Sequence, residues 1–207
     1  MIKEISQTIG FYNQHAKELV EKYDKAQPSE LHAFILENLP DKKAKILEIG
    51  FGSGRELRFL MNKGYQVWGA DGAIEFVKLA KKRFPQISNH LFHAYLPDLN
   101  LPSKYLKFFD AIISIAVLMH IPKIFYRQVA QKLAEYLKDN GIVILSYNLT
   151  HREEKTRFFE KINPETVLKA FSAEGFRKEN ELITRDASPE KREVLWITEV
   201  YKLERKD

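Results

Sequence analysis

Residues 46–60 read "ILEIGFGSGRELRFL", with glycines at 50, 52 and 54 between an apolar run and an amphipathic one. No other stretch constrains the fold as strongly. Backbone this bare at a strand-to-helix junction can turn tightly and let a ligand approach the main chain. The plainer alternative is a tight turn that binds nothing. A dinucleotide fingerprint, Gly-x-Gly-x-x-Gly, would need a third glycine where this chain has Arg55. The glycines instead follow Gly-x-Gly-x-Gly, and Glu48 stands two residues before the first. A carboxylate there suits a ligand that carries an ammonium group and opposes a pyrophosphate. The next apolar run ends in "GADGA", which puts Asp71 seventeen residues beyond Gly54. A carboxylate at the tip of a second strand can accept both hydroxyls of a ribose.

The surroundings of the loop predict an α/β fold. Strand-like runs at 44–50, 65–71, 89–95, 109–117 and 142–148 alternate with helical patterns at 55–64, 73–84 and 123–141. Two helices, over 2–24 and 28–39, precede them, and Pro40 ends the second. A further helix, 163–176, opens on an Asn163 cap with Pro164 in its first turn, and β-like runs near 177–186 and 193–203 follow. Such alternation implies a mostly parallel sheet covered by helices on both faces. Ligands then bind beyond the carboxyl ends of the strands, where the winding direction reverses.

Composition narrows the chemistry. At 207 residues the chain is one domain's worth, and it has no cysteine. That excludes disulfides, thiolate metal sites and cysteine nucleophiles, and makes the cytoplasm the expected location. Ala111–Met119, the longest apolar stretch, falls far short of the roughly 20 residues of a membrane span, so no membrane partner is expected. The N-terminal "MIKEISQTIG" lacks a signal peptide's apolar core. The net charge of +5 comes from lysines scattered along the chain, which reads as solvated surface, with a nucleic-acid partner as the alternative. His15, His32, His90, His93 and His151 show no metal-ligand spacing; His90 and His93 fall on opposite faces of a predicted strand, and no metal is expected.

"ILEIGFGSGRE", "GYQVWGADGAIEFVKLAKKRF" and "FDAIISIAVLMHIP" resemble three motifs of the class I S-adenosylmethionine-dependent methyltransferases. The resemblance continues through "LKDNGIVILSYN" and "AEGF" and covers about residues 10–203. It implies a Rossmann-like, doubly wound, mostly parallel seven-stranded sheet with an antiparallel last strand. It implies one domain over 1–207, with residues 1–40 as a helical cap, S-adenosylmethionine as cofactor and S-adenosylhomocysteine as product. By the same resemblance, Gly50, Gly52 and Gly54 admit the methionine portion of the cofactor. Phe51 packs beside the loop where many members have cysteine. Glu48 holds the ammonium end, Asp71 the ribose, and Gly72 and Ala73 lie against the adenine. Ser114, Ile115 and Ala116 face the transferable methyl, with plain core packing as the alternative for Ile115 and Ala116. The family's acidic residue directly after the third strand is missing from "HAYLPDLNLP". Either Asp98 or the backbone of Tyr95 and Leu96 meets the adenine.

Methyl transfer is an in-line displacement that needs a base only when the acceptor carries a proton. The rim offers His120, in "LMHIP", and Tyr12 and Tyr23 on the first helix, with Tyr147 and Asn148 on the same rim. Each has a plainer reading: a turn for His120, packing for the tyrosines. No Asn- or Asp-Pro-Pro-aromatic run follows the fourth strand, there is no cysteine for attack on cytosine, and the length leaves no room for an added RNA-binding domain. The expected acceptor is therefore an O, N or S atom of a small molecule. A tRNA or other nucleic-acid methyltransferase, and a cofactor-binding protein without turnover, are the alternatives.

Overall fold

The computed structural model describes residues 2–150, 154–187 and 193–204. His151 lies outside them. Seven strands form one sheet: β1 (Lys45–Ile49), β2 (Gln66–Asp71), β3 (Leu91–His93), β4 (Phe109–Ile115), β5 (Leu137–Asn148), β6 (Phe176–Arg185) and β7 (Leu195–Leu203). Their spatial order is β3-β2-β1-β4-β5-β7-β6. The first five strands run parallel, and β7 threads antiparallel between β5 and β6. The winding reverses between β1 and β4, which opens a crevice at their carboxyl ends.

Six helices cover the sheet: α1 (Lys3–Asp24), α2 (Ser29–Asn38), α3 (Arg55–Asn62), α4 (Ile74–Arg83), α5 (Tyr126–Tyr136) and α6 (Pro164–Ser172). Successive strand residues point to opposite faces, so each strand feeds two cores. Ile46, Ile113, Ile144 and Val200 face a layer that holds Leu19 of α1, Ile35 of α2, Leu57 of α3 and Val77 of α4. Leu47, Ile112, Val143 and Tyr201 face Leu133 of α5 and Phe171 of α6. Burial on both sides accounts for the unbroken apolar runs of β1 and β4.

Two local expectations change. The helix read over 123–141 ends at Tyr136, because Leu137 is extended and pairs with Phe109. The chain then bulges, with Asn140 at φ +62°, and rejoins the sheet where Ile142 meets Ala111. The third strand shortens to three residues, after a 3-10 turn that ends at His90. His90 stacks on Trp68, whereas His93 Nε2 meets the Gly72 carbonyl at 2.9 Å, so the two do not share a strand. α1 crosses the carboxyl ends of the strands, while α2 buries Leu31, Phe34 and Ile35 in the core. Among the described residues no helix is long and apolar enough to cross a membrane.

Candidate cofactor and acceptor site

A cavity of about 360 Å³ occupies the crevice, within the range of small-molecule sites. Ile49, Asp71, Ile115 and Asn148, the last residues of β1, β2, β4 and β5, all line it. α1 lays Ile9, Tyr12 and Tyr23 across it.

The glycine loop forms one end. Gly52 has φ +52°, and a Cβ there would stand 3.7 Å from the Tyr23 ring, so the loop presents bare backbone to the cavity. Its amide donates to Asp71 Oδ2 at 2.9 Å, and the Ala73 amide donates to Oδ1 at 2.8 Å. Asp71 therefore ties the loop to the end of β2, a coupling with no signal in the sequence. Burial pushes the Asp71 carboxyl up to about 6 against the pull of these two amides. Glu48 accepts from the Leu57 amide in the first turn of α3. Its second oxygen, Oε2, has no hydrogen-bond partner. Burial, and next the nearby Glu56, hold the Glu48 carboxyl well above its ordinary value, against the pull of Arg55. A buried carboxylate left half-satisfied is costly, and an ammonium group from a ligand supplies what it lacks. The donor set fits the cofactor that the motifs implied.

Eleven of the residues expected at the cofactor line this cavity: Glu48, Gly50, Phe51, Gly52, Asp71, Gly72, Ala73, Tyr95, Leu96, Ile115 and Ala116. Three do not. Gly54 caps α3 at φ +77°, and a Cβ there would strike the Phe84 ring, so its glycine serves the turn and the packing. Ser114 donates across the sheet to the Ile49 carbonyl at 3.3 Å. Asp98 is exposed and accepts from Gln128 Nε2 at 3.1 Å, away from the cavity. Ala116 takes φ +62°, a strained conformation for a side-chain-bearing residue, and is held by its amide on the Ser146 carbonyl at 2.8 Å.

At the other end the three rim candidates converge. Tyr12 and His120 meet through Oη and Nε2 at 2.9 Å. His120 Nδ1 lies 2.8 Å from the Phe158 carbonyl, which can only accept. Nδ1 therefore carries the proton, Nε2 accepts, and Tyr12 donates to it. The Tyr12 oxygen in turn accepts from Arg157 Nη1 at 3.1 Å and from the Tyr23 hydroxyl. Burial raises the Tyr12 hydroxyl above its ordinary value, against Arg157. Arg157 itself is clamped by both oxygens of Glu154 and lies over the Phe11, Tyr12 and Phe159 rings. Sequence reasoning missed Arg157 and Phe159, which lie in an irregular stretch without periodicity. It also missed Trp196, which as a strand residue reads as core. Of the rim pair, Asn148 lines the cavity, whereas Tyr147 points to the opposite core and donates to Glu199 at 2.7 Å.

The methyltransferase domain family matches residues 20–191. The chain belongs to that family. It is a class I, S-adenosylmethionine-dependent methyltransferase, as its motifs implied. No curated protein matches this methyltransferase in sequence. Solved structures match it in fold. The 1,6-didemethyltoxoflavin-N1-methyltransferase of Burkholderia thailandensis, solved with 1,6-didemethyltoxoflavin and S-adenosylhomocysteine, is 14% identical, with a TM-score of 0.68 over 95% of this chain and 85% of that one. A methyltransferase from Methanosarcina mazei is 15% identical, with a TM-score of 0.63 over 83% of this chain and 98% of its own. The [4+2]-cyclase SpnF is 13% identical, with a TM-score of 0.68 over 86% and 82%.

Proposed function

We propose that this methyltransferase moves a methyl group from S-adenosylmethionine to an O, N or S atom of a small molecule by in-line displacement. One observation carries the reading: a single cavity joins the glycine loop, Glu48 and Asp71 to the Tyr12–His120 pair. The cofactor supplies a methyl group activated by a sulfonium, and its departure leaves a neutral thioether. Glu48 Oε2 holds the ammonium end. Asp71, with its remaining lone pairs, holds the ribose. The backbone of Tyr95 and Leu96 meets the adenine, since Asp98 lies elsewhere. α1 excludes water from above, as lids do.

Where the acceptor carries a proton, the Tyr12 oxygen takes it as Tyr12 gives its own to His120 Nε2. The imidazolium so formed keeps its Nδ1–H on the Phe158 carbonyl. The acceptor displaces Tyr23 or Arg157 from the Tyr12 oxygen to do this, because both now occupy it. Two of the three arginines that line the cavity answer carboxylates, Arg55 at Glu56 (2.6 Å) and Arg157 at Glu154 (2.7 Å), which supports a small molecule over a polyanion. A chain without cysteine suits the cytoplasm, where we place it.

Calorimetry should show binding of S-adenosylmethionine and S-adenosylhomocysteine and none of NAD. Release of S-adenosylhomocysteine across a broad acceptor panel then reads turnover. Tyr12→Phe should lower turnover on the order of 10²-fold with cofactor affinity unchanged. Cofactor binding without turnover on any acceptor would return the chain to a binding role.

A further inference from the structure

The acceptor end of the cavity holds one polar side chain for which the described chain provides no partner. Asn148 closes β5, is 5% exposed and lines the cavity. Among the described residues its side-chain amide makes no hydrogen bond. Its neighbour on the same strand face, Ser146, is taken: Ser146 Oγ accepts from Thr198 Oγ1 at 3.0 Å. An amide that the chain leaves unpaired and that opens onto a cavity is available to a ligand. Directly across the antiparallel ladder stands Trp196, so its indole shares the sheet face with the amide. Trp196 and Phe159 give this end of the cavity flat walls.

The charges say what kind of ligand belongs there. The buried cavity carboxylates, Glu48, Glu56 and Asp71, all sit at the glycine-loop end, and Asp186, which follows β6 on the cavity wall, is half-buried, so a cationic acceptor finds no buried counter-ion beside Asn148. Two guanidiniums line the cavity near this end: Arg157 is held by both oxygens of Glu154 at 2.7 and 2.8 Å, and Arg185 is exposed on the edge strand β6, so an anionic acceptor finds one cation neutralised and the other in solvent. The remaining recognition chemistry is that of the amide itself, a donor and an acceptor side by side in one plane. An asparagine amide reads the adjacent donor and acceptor of a heterocycle edge by two parallel hydrogen bonds.

We propose that Asn148 selects the acceptor, and that the acceptor is an uncharged planar ring whose edge carries a hydrogen-bond donor next to an acceptor, as a cyclic amide does. The inference rests on this cavity being the methyltransferase site. The test uses the full chain saturated with S-adenosylhomocysteine and calorimetry of four ring-matched probes: 2-quinolone, 2-naphthol, 2-naphthoate and 2-naphthylmethylamine. The expected result is that 2-quinolone binds, with the anion and the cation at least about tenfold weaker. Asn148→Ala should weaken 2-quinolone about tenfold, change 2-naphthol less than about twofold, leave S-adenosylhomocysteine affinity unchanged and leave the melting temperature equal or higher. Asn148→Asp, which keeps the shape and loses the donors, should lose 2-quinolone equally and gain the amine. The proposal is overturned if 2-quinolone does not bind, binds no better than 2-naphthoate or the amine, or is bound equally by both variants. It is also overturned if the variants lose all probes alike or lose stability. Failure of S-adenosylhomocysteine to bind the wild-type chain would remove the methyltransferase reading itself, and this proposal with it.

Discussion

Glu48 and Glu199 are both sealed inside the protein, at 2% and 0% exposure, and are held in opposite ways. Glu199 sits in β7. Its Oε1 accepts from Lys178 Nζ at 2.6 Å, and its Oε2 from the Tyr147 and Tyr201 hydroxyls at 2.7 and 2.9 Å. Burial and this carboxylate push both tyrosine hydroxyls far above their ordinary range, so they remain donors at any physiological pH. Glu48, in β1, has an amide on one oxygen and nothing on the other. The chain completes the first carboxylate and leaves the second incomplete. The first belongs to the architecture of the β5–β7–β6 half, and the second to whatever enters the cavity.

The sharpest separation comes from Glu199→Ala. It strands a cation and two hydroxyls in the core, and should cost on the order of 3–5 kcal/mol. That lowers the melting temperature by roughly 10 °C, while the folded fraction binds S-adenosylhomocysteine with unchanged affinity. A large loss of cofactor affinity would erase the contrast. Asp71→Ala comes next. It removes charge-assisted hydrogen bonds of about 1.5–3 kcal/mol each, and calorimetry should show cofactor affinity falling roughly tenfold or more. Unchanged affinity in an intact fold would end the ribose role of Asp71.

Glu48→Gln should have the smallest effect on the fold and the most telling sign. Glu48 is raised in the free protein, so its contribution to stability is fully present below the ordinary carboxylate value and is lost as pH rises through the raised one. Gln does not titrate. The stability of the variant to denaturant should therefore equal or exceed that of the wild type at pH 8, and the advantage should shrink toward pH 4. Cofactor affinity should fall about tenfold at pH 8. In the wild type, affinity should rise from pH 5 to pH 8, as Asp71, near 6, and Glu48, held well above its ordinary value, give up their protons to hold the ligand. A variant less stable than wild type at pH 8 would make Glu48 architectural, like Glu199.

The same contrast shows what was legible in the sequence. The cofactor half was nearly all readable, because glycines, a flanking carboxylate and strand-end positions are local signals. Gly54 and Ser114 were assigned by family resemblance, which does not reveal the Phe84 ring or the Ile49 carbonyl that they serve. Asp98 could not be placed because loops have no period. The helix ending at Tyr136 was overrun because Leu137 continues a helical stripe until the sheet captures it opposite Phe109. The acceptor half was opaque for another reason. Tyr12, His120 and Arg157 come from three distant segments, and their meeting is a product of topology.

That topology has a consequence for the order in which the protein is made. Thr8 Oγ1 accepts from the Phe158 amide at 3.0 Å, and Gln7 Nε2 donates to the Lys155 carbonyl at 2.8 Å, partners 150 and 148 positions apart. At ordinary synthesis speeds of about 5–20 residues per second, α1 emerges roughly 7–30 s before the segment that fastens it. During that interval the nascent chain already has the glycine loop, Glu48 and Asp71, and has no Arg157 or Phe158. The glycine-loop end of the cavity is thus made before the residues that close its opposite end, and the wall that α1 contributes waits for its last fastening.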